Sequence, residues 1–118
     1  MMEKIIDLLH SGGYSCVIGN GTEIRTFTQR GVADLYDLFR QDPSFMKGAG
    51  IADKVIGKAA ASLMVLGEIR QVYADVISQP ALALLHNANI EVSNVRRVPF
   101  IENRAKSAWC PLETACYG

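Results

Sequence analysis

The stretch that decides the fold runs from Ala52 to Leu66 and reads ADKVIGKAAASLMVL. After Lys58 it is apolar nearly all round and carries no charge. A helix that is apolar on every side belongs in the interior of a protein. The sequence therefore predicts one buried helix over Ala52 to Leu66, closed by Gly67, and the rest of the chain must supply the layers that cover it.

The segments after this helix alternate between strand and helix. Gln71 to Ile77 has the composition of a strand and ends at Ser78-Gln79-Pro80. Proline suits the first helical position, so Pro80 to Asn87 is a predicted helix. Ile90 to Ile101 is the last predicted strand, and Cys110-Pro111 opens a short final helix.

The segments before the buried helix are helical at both ends and extended in the middle. Apolar side chains recur at helical spacing in the segment that begins the chain and again in the segment from about Gly31 to Gln41. Between these two segments, glycine and asparagine separate two strand-like runs. The predicted elements are a short amphipathic helix within Met1 to Gly12, a hairpin of Tyr14 to Ile18 with Glu23 to Thr28, a helix from about Gly31 to Gln41 and a loop from Phe45 to Gly50.

This order of elements defines the fold class. Strands that alternate with helices are normally parallel and joined by right-handed crossovers. We therefore expect an α/β protein, a three-layer α-β-α sandwich with a mixed sheet of about four to five strands. Ligands of such sheets bind at the carboxyl ends of the strands. That rule predicts a site formed by the loop before Ala52, by Ser78-Gln79-Pro80, and by Ile101 to Cys110.

Length and composition exclude several classes of function. The chain has 118 residues, which predicts one domain, and equal numbers of basic and acidic residues, 12 of each. The chain has no net charge that would attract it to nucleic acid or to an anionic membrane, and the basic run Arg96-Arg97 is too short to change that. Met1 to Gly12 is neither a signal peptide nor a membrane span, so a cytoplasmic protein with reduced cysteines is expected.

A resemblance to the cytidine deaminase superfamily covers Asp53 to about Ile101. In those enzymes the buried helix opens with His-Ala-Glu, and the helix after the next strand opens with Pro-Cys-x-x-Cys. Here Lys58-Ala59-Ala60 stands in the first place, and Pro80-Ala81-Leu82-Ala83-Leu84 stands in the second. The resemblance implies a cytidine deaminase-like fold in which the zinc ligands are replaced.

A closer resemblance covers nearly the whole chain. The runs Ala52 to Ala61, Val98-Pro99-Phe100-Ile101 with Asn103-Arg104, and Cys110-Pro111-Leu112-Glu113 are similar to the family called domain of unknown function 1893. This resemblance implies a deaminase-like fold without an assigned activity. Because relatives with this fold commonly self-associate, it also implies a homo-oligomer.

The replaced residues argue against zinc chemistry. Hydrolytic deamination needs a zinc ion held by His and Cys side chains and a carboxylate that moves a proton. Protonated Lys58 has no lone pair to offer, Ala60 cannot move a proton, and Ala81 and Leu84 cannot bind the metal. His10 and His86 are far apart in sequence and are interpreted as surface or core-edge residues. We expect no metal, no cofactor and no cytidine deamination.

Polar side chains near the predicted site favour an anionic ligand instead. Lys58 enters an apolar helix, where it must find a counter-charge or lose its proton. It either has a structural partner or holds a phosphate or carboxylate. The predicted ligand-binding residues are Asp53, Lys54, Lys58, Ser78, Asn103 and Arg104. Asp53 and Lys54 are placed in the first turn of the buried helix, where Asp53 complements the helix dipole.

Three functional hypotheses remain open. The leading one is a zinc-free, non-deaminating domain that binds a small anionic ligand such as a nucleotide or nucleotide-sugar. The second is an enzyme of unknown class that uses Lys58, Cys110 or Glu113, since a cysteine at a helix start has a lowered pKa. The third is a structural oligomeric protein with a vestigial pocket.

Overall fold

The computed structural model describes residues 2–28 and 32–99 of the chain. Ten elements follow one another in this part of the molecule. They are α1 (Met2–Ser11), β1 (Cys16–Gly19), β2 (Ile24–Phe27), α2 (Ala33–Gln41), α3 (Pro43–Met46), β3 (Gly50–Ile56), α4 (Lys58–Leu66), β4 (Gln71–Ser78), α5 (Gln79–Asn87) and β5 (Glu91–Val98).

The strands form one mixed sheet in the order β2-β1-β3-β4-β5. β1 is antiparallel to both β2 and β3, whereas β3, β4 and β5 run parallel to one another. Helices α4 and α5 each connect one parallel strand to the next. The predicted α/β class and the mixed sheet are therefore confirmed.

Helices cover both faces of the sheet and make it the middle of three layers. Successive residues of a strand point to opposite faces, and β1 illustrates this alternation. Val17 packs with Ile5 and Leu9 of α1 in a small apolar cluster. Its neighbour Ile18 belongs to the larger cluster, which includes buried residues of α2, α4 and α5 such as Leu63. The core thus lies on both sides of the sheet, and the α4 side is the larger.

The elements at the start of the chain match their predictions closely. α1 ends at Ser11, and the hairpin of β1 and β2 turns at a loop that contains Asn20. The Oδ1 atom of Asn20 accepts hydrogen bonds from the backbone N–H groups of Thr22, at 3.0 Å, and Glu23, at 2.9 Å. Gly21 adopts φ 96°, which a side chain would oppose. The turn residues therefore fix the hairpin locally.

The predicted helix over Ala52 to Leu66 is wrong in its first half. Gly50–Ile56 is a strand at the centre of the sheet, and only Lys58–Leu66 is helical. Five of the seven β3 residues are buried, because the strand has neighbours on both edges and helices on both faces. Burial on both faces removes the period-two pattern, so such a strand resembles a buried helix. Gly57, with an extended backbone, is the true boundary.

The structure corrects three further predictions in and before this segment. Asp53 and Lys54 lie in β3 and not in the first turn of a helix. The loop before Ala52 lies at the amino end of β3, so it cannot contribute to a site at the carboxyl ends of the parallel strands. The expected loop from Phe45 to Gly50 is partly helical, because Pro43 begins the short helix α3 directly after α2 ends.

The remaining elements confirm the later predictions as far as the described residues extend. β4 and α5 occupy the expected ranges, and β5 runs to Val98. The predicted helix after Cys110 and the end of the predicted strand at Ile101 lie outside the described residues. None of the helices described is long and apolar enough to cross a membrane.

Candidate functional site

Two helices begin at the same edge of the sheet. Ile56 and Ile77 are register partners near the carboxyl ends of the parallel strands β3 and β4. Directly beyond them, Lys58 is the first residue of α4 and Ser78 is the N-cap of α5. The parallel register therefore places Lys58 and Ser78 at the same end of two neighbouring strands. We call this region the carboxyl edge.

The two helix starts differ in how their backbone N–H groups are satisfied. The hydroxyl of Ser78, which is buried, accepts a hydrogen bond from the backbone N–H of Ala81 at 3.2 Å. The N-cap of α4 is Gly57, which has no side chain and makes no side-chain capping bond. The first turn of α4 therefore lacks the side-chain acceptor that α5 has.

Lys58 places a positive charge at the positive end of a helix dipole. It is half-buried, and its carbonyl oxygen accepts the hydroxyl of Ser62 at 2.9 Å. Cations are unfavourable at helix N-termini, where anions are stabilised. An anion beside Lys58 would therefore interact favourably both with the ammonium group and with the first turn of α4.

Asp53 is a buried carboxyl group at the middle of β3. It is 8% exposed, and its Oδ1 accepts the backbone N–H of Val55 at 3.3 Å. Burial raises its pKa to about 7, with a smaller contribution from Asp75, although the backbone N–H groups of Val55 and Lys54 act in the opposite direction. Near neutral pH this group can therefore exist either as an acid or as a base, which suits proton transfer.

Cys16 lies opposite Asp53 and was not singled out from the sequence. The two residues are register partners in the antiparallel pair of β1 and β3. Burial, followed by the charges of Asp53 and Asp34, raises the pKa of the Cys16 thiol well above its usual value. This thiol is therefore poorly suited to act as a nucleophile. The sequence contained no signal for the pair, because its members are joined only by strand pairing.

A second polar cluster lies on the α1 side of the sheet. Nε2 of His10 lies 2.8 Å from Oδ1 of Asp75, which also accepts the hydroxyl of Tyr73 at 2.5 Å. The rings of His10 and Tyr73 meet edge to face. Burial, followed by the bond to Asp75, raises the pKa of Tyr73 to about 12. His10 and His86 are both exposed, in agreement with their interpretation as surface residues.

Three residues stand at the positions of the deaminase zinc ligands: Lys58 at the start of α4, and Ala81 and Leu84 on α5. Ala60, at the position of the proton-moving carboxylate, is also in the first turn of α4. They supply no thiolate or imidazole, so they do not fit a zinc centre of that type. Across residues 2–28 and 32–99, no group of three or more His, Cys, Asp or Glu side chains is arranged to hold a metal ion.

Four predicted site residues lie outside the described part of the chain. They are Asn103, Arg104, Cys110 and Glu113. Of the predicted ligand-binding residues that are described, Lys58 and Ser78 meet at the carboxyl edge, and Asp53 and Lys54 lie on the adjoining strand β3.

Fold and site together define the class. A mixed five-stranded sheet, with helices that start at the carboxyl ends of its central parallel strands, is the arrangement of a deaminase-like α/β domain. Solved structures agree. An Acinetobacter baumannii RibD matches with a TM-score of 0.52 and 19% identity, over 79% of this chain and 33% of that one. A diaminohydroxyphosphoribosylaminopyrimidine deaminase/5-amino-6-(5-phosphoribosylamino)uracil reductase from Thermotoga maritima matches with a TM-score of 0.50 and 13% identity, over 80% and 35%. These likenesses concern the fold alone.

The chain belongs to the family described as Domain of unknown function (DUF1893), which matches residues 4–118. A crystal structure of a DUF1893 family protein from Thermotoga maritima is similar, with a TM-score of 0.81 and 25% identity. That match covers 97% of this chain and 77% of the other. A search of the curated proteins found no match.

Proposed function

We propose that this domain binds a small anionic ligand, such as a nucleotide or nucleotide-sugar, at the carboxyl edge and does not catalyse zinc-dependent deamination. One observation carries the proposal. The register of Ile56 with Ile77 brings the start of α4, with Lys58, beside the Ser78-capped start of α5. Carboxyl ends of parallel strands are where open α/β sheets bind their ligands.

Electrostatics favour an anion over a neutral ligand. The first turn of α4 has no side-chain acceptor at its N-cap, and Lys58 adds a full positive charge there. Phosphate groups bind at such helix starts because the backbone N–H groups and the dipole act together. Asn103 and Arg104 are proposed to complete the site, with Arg104 contributing a second cation.

The donor set argues against hydrolysis at a metal. Ala81 and Leu84 cannot replace two thiolates, and Ala60 cannot replace the carboxylate that moves a proton. Purified protein is therefore expected to contain far less than stoichiometric zinc and to leave cytidine unchanged. A stoichiometric zinc signal that persists after dialysis against a chelator would contradict this part of the proposal.

A second candidate function is an enzyme of another class. The observation that favours it is Asp53, a buried carboxyl group of β3 with a pKa of about 7. Together with Lys58, Cys110 or Glu113 it would supply acid–base chemistry to a bound anion. Conversion of a bound nucleotide by the wild-type protein but not by Asp53→Asn would support this candidate.

A thermal-shift screen tests the binding proposal. The probes are nucleoside mono-, di- and triphosphates, ADP-ribose and sugar phosphates. A ligand at ten times its dissociation constant stabilises the folded state by about 1.4 kcal/mol. We expect at least one probe to raise the melting temperature of the wild-type protein and to have a much smaller effect on Lys58→Ala.

The matched control is Lys47→Ala, which removes an exposed lysine at the amino end of β3, the opposite end of that strand. It should bind like the wild-type protein. If none of the probes stabilises the wild-type protein, or if Lys58→Ala responds as strongly as Lys47→Ala, the proposed site is wrong.

A further inference from the structure

The last strand of the sheet presents a long open edge. β5 has eight residues and lies at the end of the strand order, so within residues 2–28 and 32–99 only β4 pairs with it. Most of its residues are exposed, and Val95 is 75% exposed. At the other end of the sheet, β2 has only four residues. A long edge strand with unpaired backbone groups is a template for a further strand.

The charges on β5 are separated along its length. Glu91 is its first residue, and Arg96 and Arg97 stand near its end. If two copies of β5 paired in parallel and in register, glutamate would face glutamate and arginine would face arginine. If they paired antiparallel about a two-fold axis near Asn94, Glu91 of each copy would face Arg97 of the other. Opposite charges across a strand pair stabilise it, and like charges destabilise it.

We propose that β5 is a homodimer interface, at which two copies pair their edge strands antiparallel and join their sheets into one. The two-fold axis passes near Asn94, at the middle of the strand. With Asn94 opposite itself, each Glu91 lies directly opposite Arg97 of the second copy on the same face of the sheet, so the contact contains this charge pair twice. A two-fold interface uses the same patch on both copies, which is what a self-complementary strand provides.

The neighbours of β5 support this arrangement. The Oε2 atom of Glu91 accepts the side-chain amide of Gln71 at 2.7 Å, which holds the carboxylate on the sheet. Val92 packs against the larger apolar cluster and anchors the strand to the core. Val95, near the centre of the contact, would lose part of its exposed apolar surface on pairing.

The proposed dimer interface does not involve the proposed ligand site, so its test requires no ligand. Sedimentation equilibrium of the full-length wild-type protein should give a concentration-dependent monomer–dimer equilibrium. Charge reversal by Glu91→Arg, or by Arg96→Glu with Arg97→Glu, should weaken the dimer about tenfold or more. Glu68→Arg reverses an exposed glutamate in the turn after α4 and should leave the equilibrium unchanged.

Mixing the two charge-reversed proteins provides the decisive measurement. In the mixture the arginine introduced by Glu91→Arg in one copy would face the glutamate introduced by Arg97→Glu in the other, while native Glu91 and Arg97 meet at the second contact. We expect the equimolar mixture to form a heterodimer with nearly the wild-type dissociation constant. A wild-type protein that stays monomeric at every concentration overturns the proposal, because another part of the chain then covers the edge. A mixture that associates no more tightly than either variant alone also overturns the proposal. So does a dimer whose dissociation constant is unchanged by both charge reversals.

Discussion

Cys16 and Asp53 lie directly opposite each other on the antiparallel strands β1 and β3, and both are buried. A thiol and a carboxyl group thus share an environment that disfavours negative charge on either, and the pKa values of both are raised. The pair joins two neighbouring strands of the sheet. Its protonation therefore links the stability of the central strands to pH.

The first prediction concerns that pH dependence. Asp53 has a pKa of about 7 in the folded protein and about 3.9 in an unfolded chain. Between these values the folded state binds more protons than the unfolded state, so the free energy of unfolding falls as pH rises from about 4 to 7. The loss amounts to a few kcal/mol, since one pKa unit is worth about 1.4 kcal/mol.

Asp53→Asn keeps the shape of the side chain and removes its ionisation. Urea unfolding at a series of pH values should show a flatter profile for the variant, which should exceed the wild-type protein in stability at pH 8. Parallel profiles for the two proteins would show that Asp53 ionises normally in the folded state.

A second prediction compares two leucines of α4. Leu63 is 1% exposed and belongs to the larger cluster, whereas Leu66 is 60% exposed one turn later. Leu63→Ala should lower the free energy of unfolding by about 2–5 kcal/mol, because it removes buried apolar surface and leaves a cavity. Leu66→Ala should change it by less than about 0.5 kcal/mol. Equal effects in chemical unfolding would mean that α4 packs with a different face.

A third prediction concerns the cap of α5. The Ser78 hydroxyl accepts the backbone N–H of Ala81, and both residues are buried. Ser78→Ala should therefore lower the free energy of unfolding by about 1 kcal/mol or somewhat more. Ser11→Ala, at the exposed end of α1, is the control and should have little effect. A neutral Ser78→Ala would mean that the N–H of Ala81 finds another acceptor.

A fourth prediction concerns Tyr73 and Asp75. Burial and the bond to the Asp75 carboxylate hold the pKa of Tyr73 at about 12. Asp75→Asn removes the negative charge, so the pKa of Tyr73 should fall toward its ordinary value. Ultraviolet titration of the phenolate, with Tyr73→Phe to assign the signal, measures this change. Should Asp75→Asn leave the high-pH end of the titration unaltered, the bond to Asp75 does not govern this group.

Local signals explain which elements could be predicted. The Asn20 turn, the proline in Asp42-Pro43 and the proline of Ser78-Gln79-Pro80 are short-range features that fix their own backbone conformation. The hairpin, the end of α2 and the start of α5 were therefore predicted with nearly correct bounds. β3 was missed because its side chains are buried by partners that are distant in sequence, and periodicity does not distinguish such a strand from a buried helix.

The candidate site was likewise predictable from the sequence only in part. The rule that ligands bind at the carboxyl ends of parallel strands pointed to Ser78, but the helix start at Lys58 did not follow from it, because the predicted helix began at Ala52. The pairs Cys16 with Asp53 and His10 with Asp75 did not follow. Their members are brought together by strand register and by the packing of α1, which no local pattern encodes.

By itself the sequence determined the class of the fold, the turns and the lack of zinc-binding side chains at the deaminase-like positions. These properties depend on residue type and on neighbours in the chain. Only the tertiary structure decided that Asp53 is a buried strand residue with a raised pKa, and that β5 ends the strand order among the described residues. Burial and strand order arise from contacts between distant segments, so they exist only once the chain has folded.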